Sequence, residues 1–332
     1  MVRKSRKRRR RKKCRRIMSE KCFLGIDTSN YTTSMAFCTE DGRVIANLKY
    51  PLPVKEGERG LRQSDAVFLH TKNLPVLYES AREMFEKDQL LAVGVSAYPR
   101  TQEGSYMPCF LAGVASAKAL SVALDIPCFS FSHQNGHIMA AVYSSGASEL
   151  LLGREFLAFH VSGGTTEVLL VHPHGADFRC EVVGGTVDIH AGQAIDRVGV
   201  AMGLRFPCGA ELEQLALRYS GKIPRHRICV KNGFCNLSGV ENIALEMLRN
   251  GASHEETAAF VLDFIGRTLV EMTTFVRQRY PGLPIVYGGG VMSCGLLKAR
   301  LEGENVWFAE PSFSSDNAAG ISCLARLVFR NL

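Results

Sequence analysis

A chain of 332 residues is long enough for two domains of ordinary size, and 46% apolar with 22% charged residues reads as a soluble globular protein. No apolar run approaches the roughly 18 residues that span a bilayer, and Gly25 and Asp27 break the apolar stretch behind the basic start, so no secretory leader is expected there. Eleven cysteines, an odd number without a Cys-x-x-Cys pair, fit a reducing cytoplasm and argue against a disulfide framework or a zinc ribbon.

The net charge of +8 sits at one end. Residues 1–16 hold twelve Lys or Arg and no acid. Without those twelve, twenty-eight of the forty basic residues face thirty-two acids, a net charge of −4. A block of like charge cannot pack, so residues 1–21 are expected to be a disordered basic tail. Such a tail either binds nucleic acid non-specifically or is leader sequence read through a mis-set start, with Met18 the true first residue.

Next comes a strand–turn–strand element, Phe23 to Phe37, and it occurs twice. The second copy runs Phe156 to Leu170 around Ser162-Gly163-Gly164. Laid side by side without a gap, the copies share Phe, Leu, Ser, Thr and Thr at equal offsets. Ser/Gly/Gly and Ser/Asn tolerate the turn conformations needed, and unpaired turn amides can hold an anion. Two such hairpins, each opening one half of the chain, are expected to face one another as a phosphate clamp made by duplication.

Gly42 to Ala46 predicts a third strand, and residues 51–66 a loop. Leu74, Leu77, Ala81, Met84 and Phe85 recur at helical spacing. Leu91 to Ala97 reads as a buried strand, 110–124 as a helix rich in small residues, and Cys128 to Ser132 as a strand entering a helix near His133. Residues 144–149 are the expected boundary, giving halves 22–144 and 145–332, with the last helix able to pack back on the first half. The second half predicts helices near 190–203, 209–219 and 239–249. A capping box, Ser253 and Glu256, then opens a long helix with a buried stripe at Val261, Phe264, Ile265, Met272, Phe275 and Val276. A strand, Leu283 to Tyr287, runs into Gly288-Gly289-Gly290; Val306 to Ala309 is the last strand and 316–329 the last helix. Strands alternating with helices in both halves imply an α/β fold.

Four places could carry chemistry. His133 and His137 lie one helical turn apart on one face, workable for two ligands of one metal ion or for a polar helix face. Gln134 stands where a zincin has its glutamate base, so that protease class is excluded. Asp316 is a candidate third ligand or an ordinary N-cap. Ser162-Gly163-Gly164 and its upstream twin read as phosphate cradles, and Gly288 to Gly290 as a strand-to-helix turn that admits an anion or an adenosine edge. Asp196 could hold a ribose hydroxyl pair or bridge to Arg197.

Together these segments resemble the N(6)-threonylcarbamoyladenosine tRNA-modification transferases, long labelled O-sialoglycoprotein endopeptidases. The resemblance covers about residues 22–330. It is carried by Gly25-Ile26-Asp27-Thr28-Ser29, His133-x-x-x-His137-Ile138, Val161 to Thr166, Asp188 to Asp196, Leu237-Ser238-Gly239, Gly289-Gly290-Val291 and Ser315-Asp316-Asn317-Ala318-Ala319. It implies a duplicated actin-like, sugar-kinase-like ATPase fold with two lobes around a nucleotide cleft. It implies metal ligands His133, His137 and Asp316, for one divalent ion, by resemblance Fe, with Zn or Mn also suited to two His and a carboxylate. His160, Val161, Ser162, Gly163 and Gly164 match its nucleotide-contacting hairpin, Asp196 and Gly209 its adenylate contacts, and Gly289, Gly290 and Cys294 its remaining nucleotide contacts.

The implied reaction moves a threonylcarbamoyl group from its adenylate to the N(6) amine of adenosine beside the tRNA anticodon. Implied partners are tRNA, the enzyme that makes the adenylate, and a small subunit and an ATPase of the modification complex. ATP or the adenylate is the implied ligand. Several positions depart from the pattern: Tyr31 and Thr32 replace an acidic pair, Gln193 a Glu, Glu241 a Lys, Cys294 an Asn, and Pro99 to Pro108 a Gly-Pro-Gly loop. The alternative is a catalytically diverged paralogue that keeps metal and nucleotide binding. A kinase on this fold would need a carboxylate base, for which Asp27 is the candidate.

Overall fold

The computed structural model describes residues 20–29, 31–53, 61–82, 89–316 and 318–332. The basic tail through residue 19, Asn30, Met84, Phe85 and Asn317, on which expectations were placed, lie outside them. The chain folds as two units: residues 174–178 and 316–332 belong with the N-terminal unit, and 144–173 with 179–315 form the second. Among the described residues no helix is long and apolar enough to cross a membrane.

The first unit is built on a five-stranded sheet, ordered β3 (Val44–Pro51), β2 (Thr32–Thr39), β1 (Cys22–Asp27), β4 (Leu90–Tyr98) and β5 (Cys128–Ser132). β2 runs antiparallel to β1, while β4 is parallel to β1 and β5 to β4. Alternation along β1 sorts its side chains by face. Cys22, Leu24 and Ile26 enter the core shared with α1 (Gln63–Ala81) and α2 (Phe110–Leu124). The opposite face meets α11 (Ala319–Arg330): the rings of Phe23 and Phe329 lie 5.4 Å apart edge to face, and a Cβ on Gly25 would meet the Ala318 carbonyl at 2.4 Å. α3 (His133–Ser144) packs on α11 through two more glycines; a Cβ on Gly320 would lie 1.9 Å from the Gly136 carbonyl oxygen.

α1 begins earlier than the apolar spacing predicts, and residues 63–66 are helix rather than loop. Its inward face carries His70 and Asn73 among Ala66, Leu74, Leu77 and Ala81. These two polar residues are buried because they bond the hydroxyl of Thr33, His70 Nδ1 at 2.9 Å and the Asn73 amide at 3.2 Å. A polar pair on the buried face hides the helical period.

The second unit repeats the plan. In its seven-stranded sheet, β8 (Asp177–Thr186), β7 (Thr166–His174), β6 (Phe156–Val161), β11 (Ile285–Gly288) and β12 (Val306–Phe308) follow the same third–second–first–fourth–fifth order, with the short β10 (Phe234–Cys235) and β9 (Val230–Lys231) added beyond β8. The hairpins agree in register as well. The gapless overlay of the two copies puts the pair Asp27 and Ser34 onto His160 and Glu167, and both are strand partners. Before β6 lies one short helix, α4 (Ser148–Leu151). After β8 come α5 (Ala191–Ala201), α6 (Gly209–Ala216), α7 (Ser238–Arg249), α8 (His254–Arg279), α9 (Gly295–Leu301) and the single turn α10 (Pro311–Ser314). α8 buries Val261, Phe264, Ile265, Met272 and Val276 of the expected stripe in one core with Phe159, Val161 and Tyr287 of the sheet, while Phe275 is half-buried against it. Gly290 opens a 3-10 turn that precedes α9, so the expected strand-to-helix turn runs through this tighter turn before the α-helix begins.

Candidate metal centre and nucleotide-binding turn

The first unit brings three candidate ligands, two imidazoles and a carboxylate, together. Ser132 ends β5, and its hydroxyl accepts the Asn135 N–H at 3.0 Å, opening α3 so that His133 and His137 fall one above the other. Their rings meet edge to face with centroids 4.3 Å apart, and their Nε2 atoms are 3.0 Å apart. Asp316 Oδ1 lies 3.2 Å from His137 Nε2 and 3.7 Å from His133 Nε2. Asp316 is not the N-cap of α11: that position is Ala318, and no side chain caps it. The three ligand atoms lie within 4.8 Å of one another. Donors about 2.1 Å from a shared ion lie roughly 3.0 to 3.7 Å apart when they subtend about 90° to 125°. The residues therefore fit a divalent ion bound on one face, and the donor set suits Fe, Zn or Mn.

Behind them lies a residue that spacing alone did not connect. Asp27 ends β1 with 1% of its side chain exposed. Its Oδ1 accepts the Ser29 N–H at 2.7 Å; its Oδ2 accepts the Ser96 hydroxyl of β4 at 2.8 Å and pairs with His133 Nδ1 at 2.7 Å. Burial opposes charge on both partners. Their ion pair and hydrogen bond outweigh it, holding the Asp27 carboxyl well below the ordinary carboxylate range and lifting His133 to about 9. Asp316 is half-buried, which raises its carboxyl, but its bond to His137 with the charge of His133 keeps it low. With both oxygens engaged, Asp27 is no free base for a kinase. The signal was legible as a charged residue inside a buried strand, which requires a partner.

In the second unit the Ser162–Thr165 turn closes through the Ser162 N–H donating to the Thr165 carbonyl at 2.7 Å. Gly163 and Gly164 are exposed, and a Cβ on either would meet nothing within 4 Å. The start of α5 is pressed against this turn: the Gly192 N–H donates to the Ser162 carbonyl at 3.2 Å, and a Cβ there would lie 2.7 Å from Gly163. His160 and Val161 lead into it on β6. Gly289 (φ +94°) sits over the same strand, where a Cβ would lie 2.3 Å from the Val161 carbonyl oxygen, while Gly290 has open space. Cys294 is buried behind them, and burial lifts its thiol to about 11.

Asp196 does not bridge to Arg197. Its Oδ1 accepts the Cys208 N–H at 2.8 Å, just before Gly209, and burial raises its carboxyl. Arg197 pairs instead with Glu241 at 2.9 Å, so the acid in the family's Lys position has a local cation. Gln193 accepts the His190 N–H at 3.1 Å as the return arm of a capping box, which Gln closes as well as Glu. Asp188 takes the N–H groups of Leu237 and Ser238 at 2.7 and 3.0 Å, tying α7 to the end of β8.

The fold is that of the actin-like and sugar-kinase-like ATPases. HypF in its phosphate- and nucleotide-bound form superimposes with a TM-score of 0.57 at 13% identity, over 94% of this chain and 47% of that one. A ROK family glucokinase from Streptomyces griseus in complex with glucose and AMPPNP gives 0.51 at 13% identity, over 92% and 98%. Residues 57–323 match the sequence profile of tRNA N6-adenosine threonylcarbamoyltransferase, and the chain belongs to that family of transferases. The Bacillus subtilis (strain 168) tRNA N6-adenosine threonylcarbamoyltransferase is 29% identical over 323 residues, 92% of this chain and 90% of its own length.

Proposed function

We propose that this chain transfers the threonylcarbamoyl group of threonylcarbamoyl-adenylate to the N(6) amine of the adenosine next to the tRNA anticodon. The observation that carries the reading is the convergence of His133, His137 and Asp316 in a chain of this family. When bound there, a divalent ion supplies Lewis acidity toward phosphate and carbamoyl oxygens. The attacking atom is the tRNA amine. A C–N bond forms at the carbamoyl carbon, its bond to the adenylate oxygen breaks, AMP departs, and the amine gives up a proton. No protein Ser or Cys nucleophile enters. His160 to Gly164 hold the nucleotide, the open Gly163–Gly164 backbone giving a phosphate close access to a turn in which the Gly164 N–H already donates to Ser162 Oγ at 3.3 Å. Asp196, Gly209, Gly289, Gly290 and Cys294 supply the remaining contacts to the nucleotide. A separate cytoplasmic enzyme supplies the adenylate, and partner subunits help hold tRNA.

Expression in a strain depleted of its own transferase, followed by nucleoside analysis of bulk tRNA, tests the reading. Restored threonylcarbamoyladenosine is expected. Its absence, with metal and nucleotide still bound, would replace it by the diverged paralogue that Tyr31 and Thr32 suggest.

A further inference from the structure

We infer that Asp27 is a positioning residue for the metal centre: its carboxylate holds His133 with the proton on Nδ1, so that Nε2 turns its lone pair toward a divalent cation beside His137 and Asp316. The inference rests on the metal reading above, and it assigns a task to a residue on another element, β1, whose side chain is 1% exposed.

Three observations support it. First, Asp27 lies within hydrogen-bond distance of the ring nitrogen that faces away from the ligand cluster, at 2.7 Å. A ligating imidazole carries one N–H, so a cation displaces the Nε2 proton, and the bond made by the other nitrogen keeps the remaining proton on Nδ1. In the opposite tautomer an N–H on Nε2 would project at His137 Nε2, 3.0 Å away, where the ion must sit. Second, Asp27 is itself held. The Ser29 N–H on one oxygen and the Ser96 hydroxyl on the other fix the carboxylate's rotation from the turn after β1 and from β4. Third, a charged side chain 1% exposed at the end of a buried strand is costly unless its bonds are made. Here they are made to a ligand histidine and to two groups that orient it.

Full-length protein stripped of metal is titrated with Zn2+ alone against a chromogenic chelator, as wild type, Asp27→Asn, Ser96→Ala and His133→Ala. Protein labelled with 15N-histidine and loaded with Zn2+ is read by NMR. Asp27→Asn is expected to weaken Zn2+ binding about 10- to 100-fold, Ser96→Ala by less, with His133 in the wild type ligating through Nε2 and protonated at Nδ1. Unchanged affinity in Asp27→Asn, or His133 bound through Nδ1, overturns the inference while loss of Zn2+ in His133→Ala keeps the metal reading. Equal Zn2+ binding by wild type and His133→Ala overturns both. Should Asp27→Asn fail to fold, Ser96→Ala and the wild-type spectrum decide by the same criteria, wild-type affinity in Ser96→Ala counting against.

Discussion

His70 is fully buried on α1, with Nδ1 bonded to Thr33 and Nε2 without a partner among the described residues. Burial pulls its imidazole from 6.5 down to about 4. The unfolded chain takes up a proton as pH falls through the ordinary histidine value, while the folded one resists until about 4. Stability present above pH 6.5 is therefore lost between those values. Urea melts across this range should show the decline, and His70→Gln should flatten it. At the ligand cluster, Asp316→Ala and His137→Ala should each empty the protein of bound metal, read by elemental analysis, while the circular dichroism melt stays in place. Both side chains are partly open to solvent, at 25% and 10%, so neither fills the core.

The helix that delivers Asp316 depends on close backbone approach. A Cβ on Gly320 would enter the Gly136 carbonyl and the Ala140 N–H, atoms of the neighbouring helix backbone that cannot swing aside. Gly320→Ala should cost about 1–3 kcal/mol through overpacking and lower metal affinity, because α11 must shift away from α3. Metal titration and a chemical melt of the same variant check both. On the other sheet, Asp188→Asn should cost about 1 kcal/mol by weakening the cap of α7, seen in urea unfolding. The paired hairpins were legible in the chain because apolar alternation and turn residues are local and the copies align without a gap. His133 and His137 were legible because four residues make one helical turn. The front half of α1, the strand β8 and the Asp27–Ser96–His133 bonds were not. Those bonds depend on which side chains meet across β1, β4 and α3, the front half of α1 on the bonds of His70 and Asn73 to Thr33 of β2, and β8 on its place beside β7; a linear pattern shows a buried polar residue without showing its partner.

Strand order repeats between the two units, yet the chain does not divide at one point. Residues 316–332 belong to the first unit, where α11 covers β1, β2 and β4 and Arg326 donates to the Glu40 carbonyl at 2.7 Å. A chain stopped after residue 315 should keep the second unit's core but leave the first unit's sheet face bare. Limited proteolysis should then digest the segment 22–143 while sparing 179–315, whereas the full chain protects both.

The late return of α11 sets an order of assembly on the ribosome. Almost everything the second unit needs has left the exit tunnel before the first unit receives its closing helix, so the half translated earliest matures last. Asp316 travels on that same closing segment. A nascent polypeptide that has not yet reached Asp316 thus carries His133 and His137 without their carboxylate, and ion capture waits for that residue.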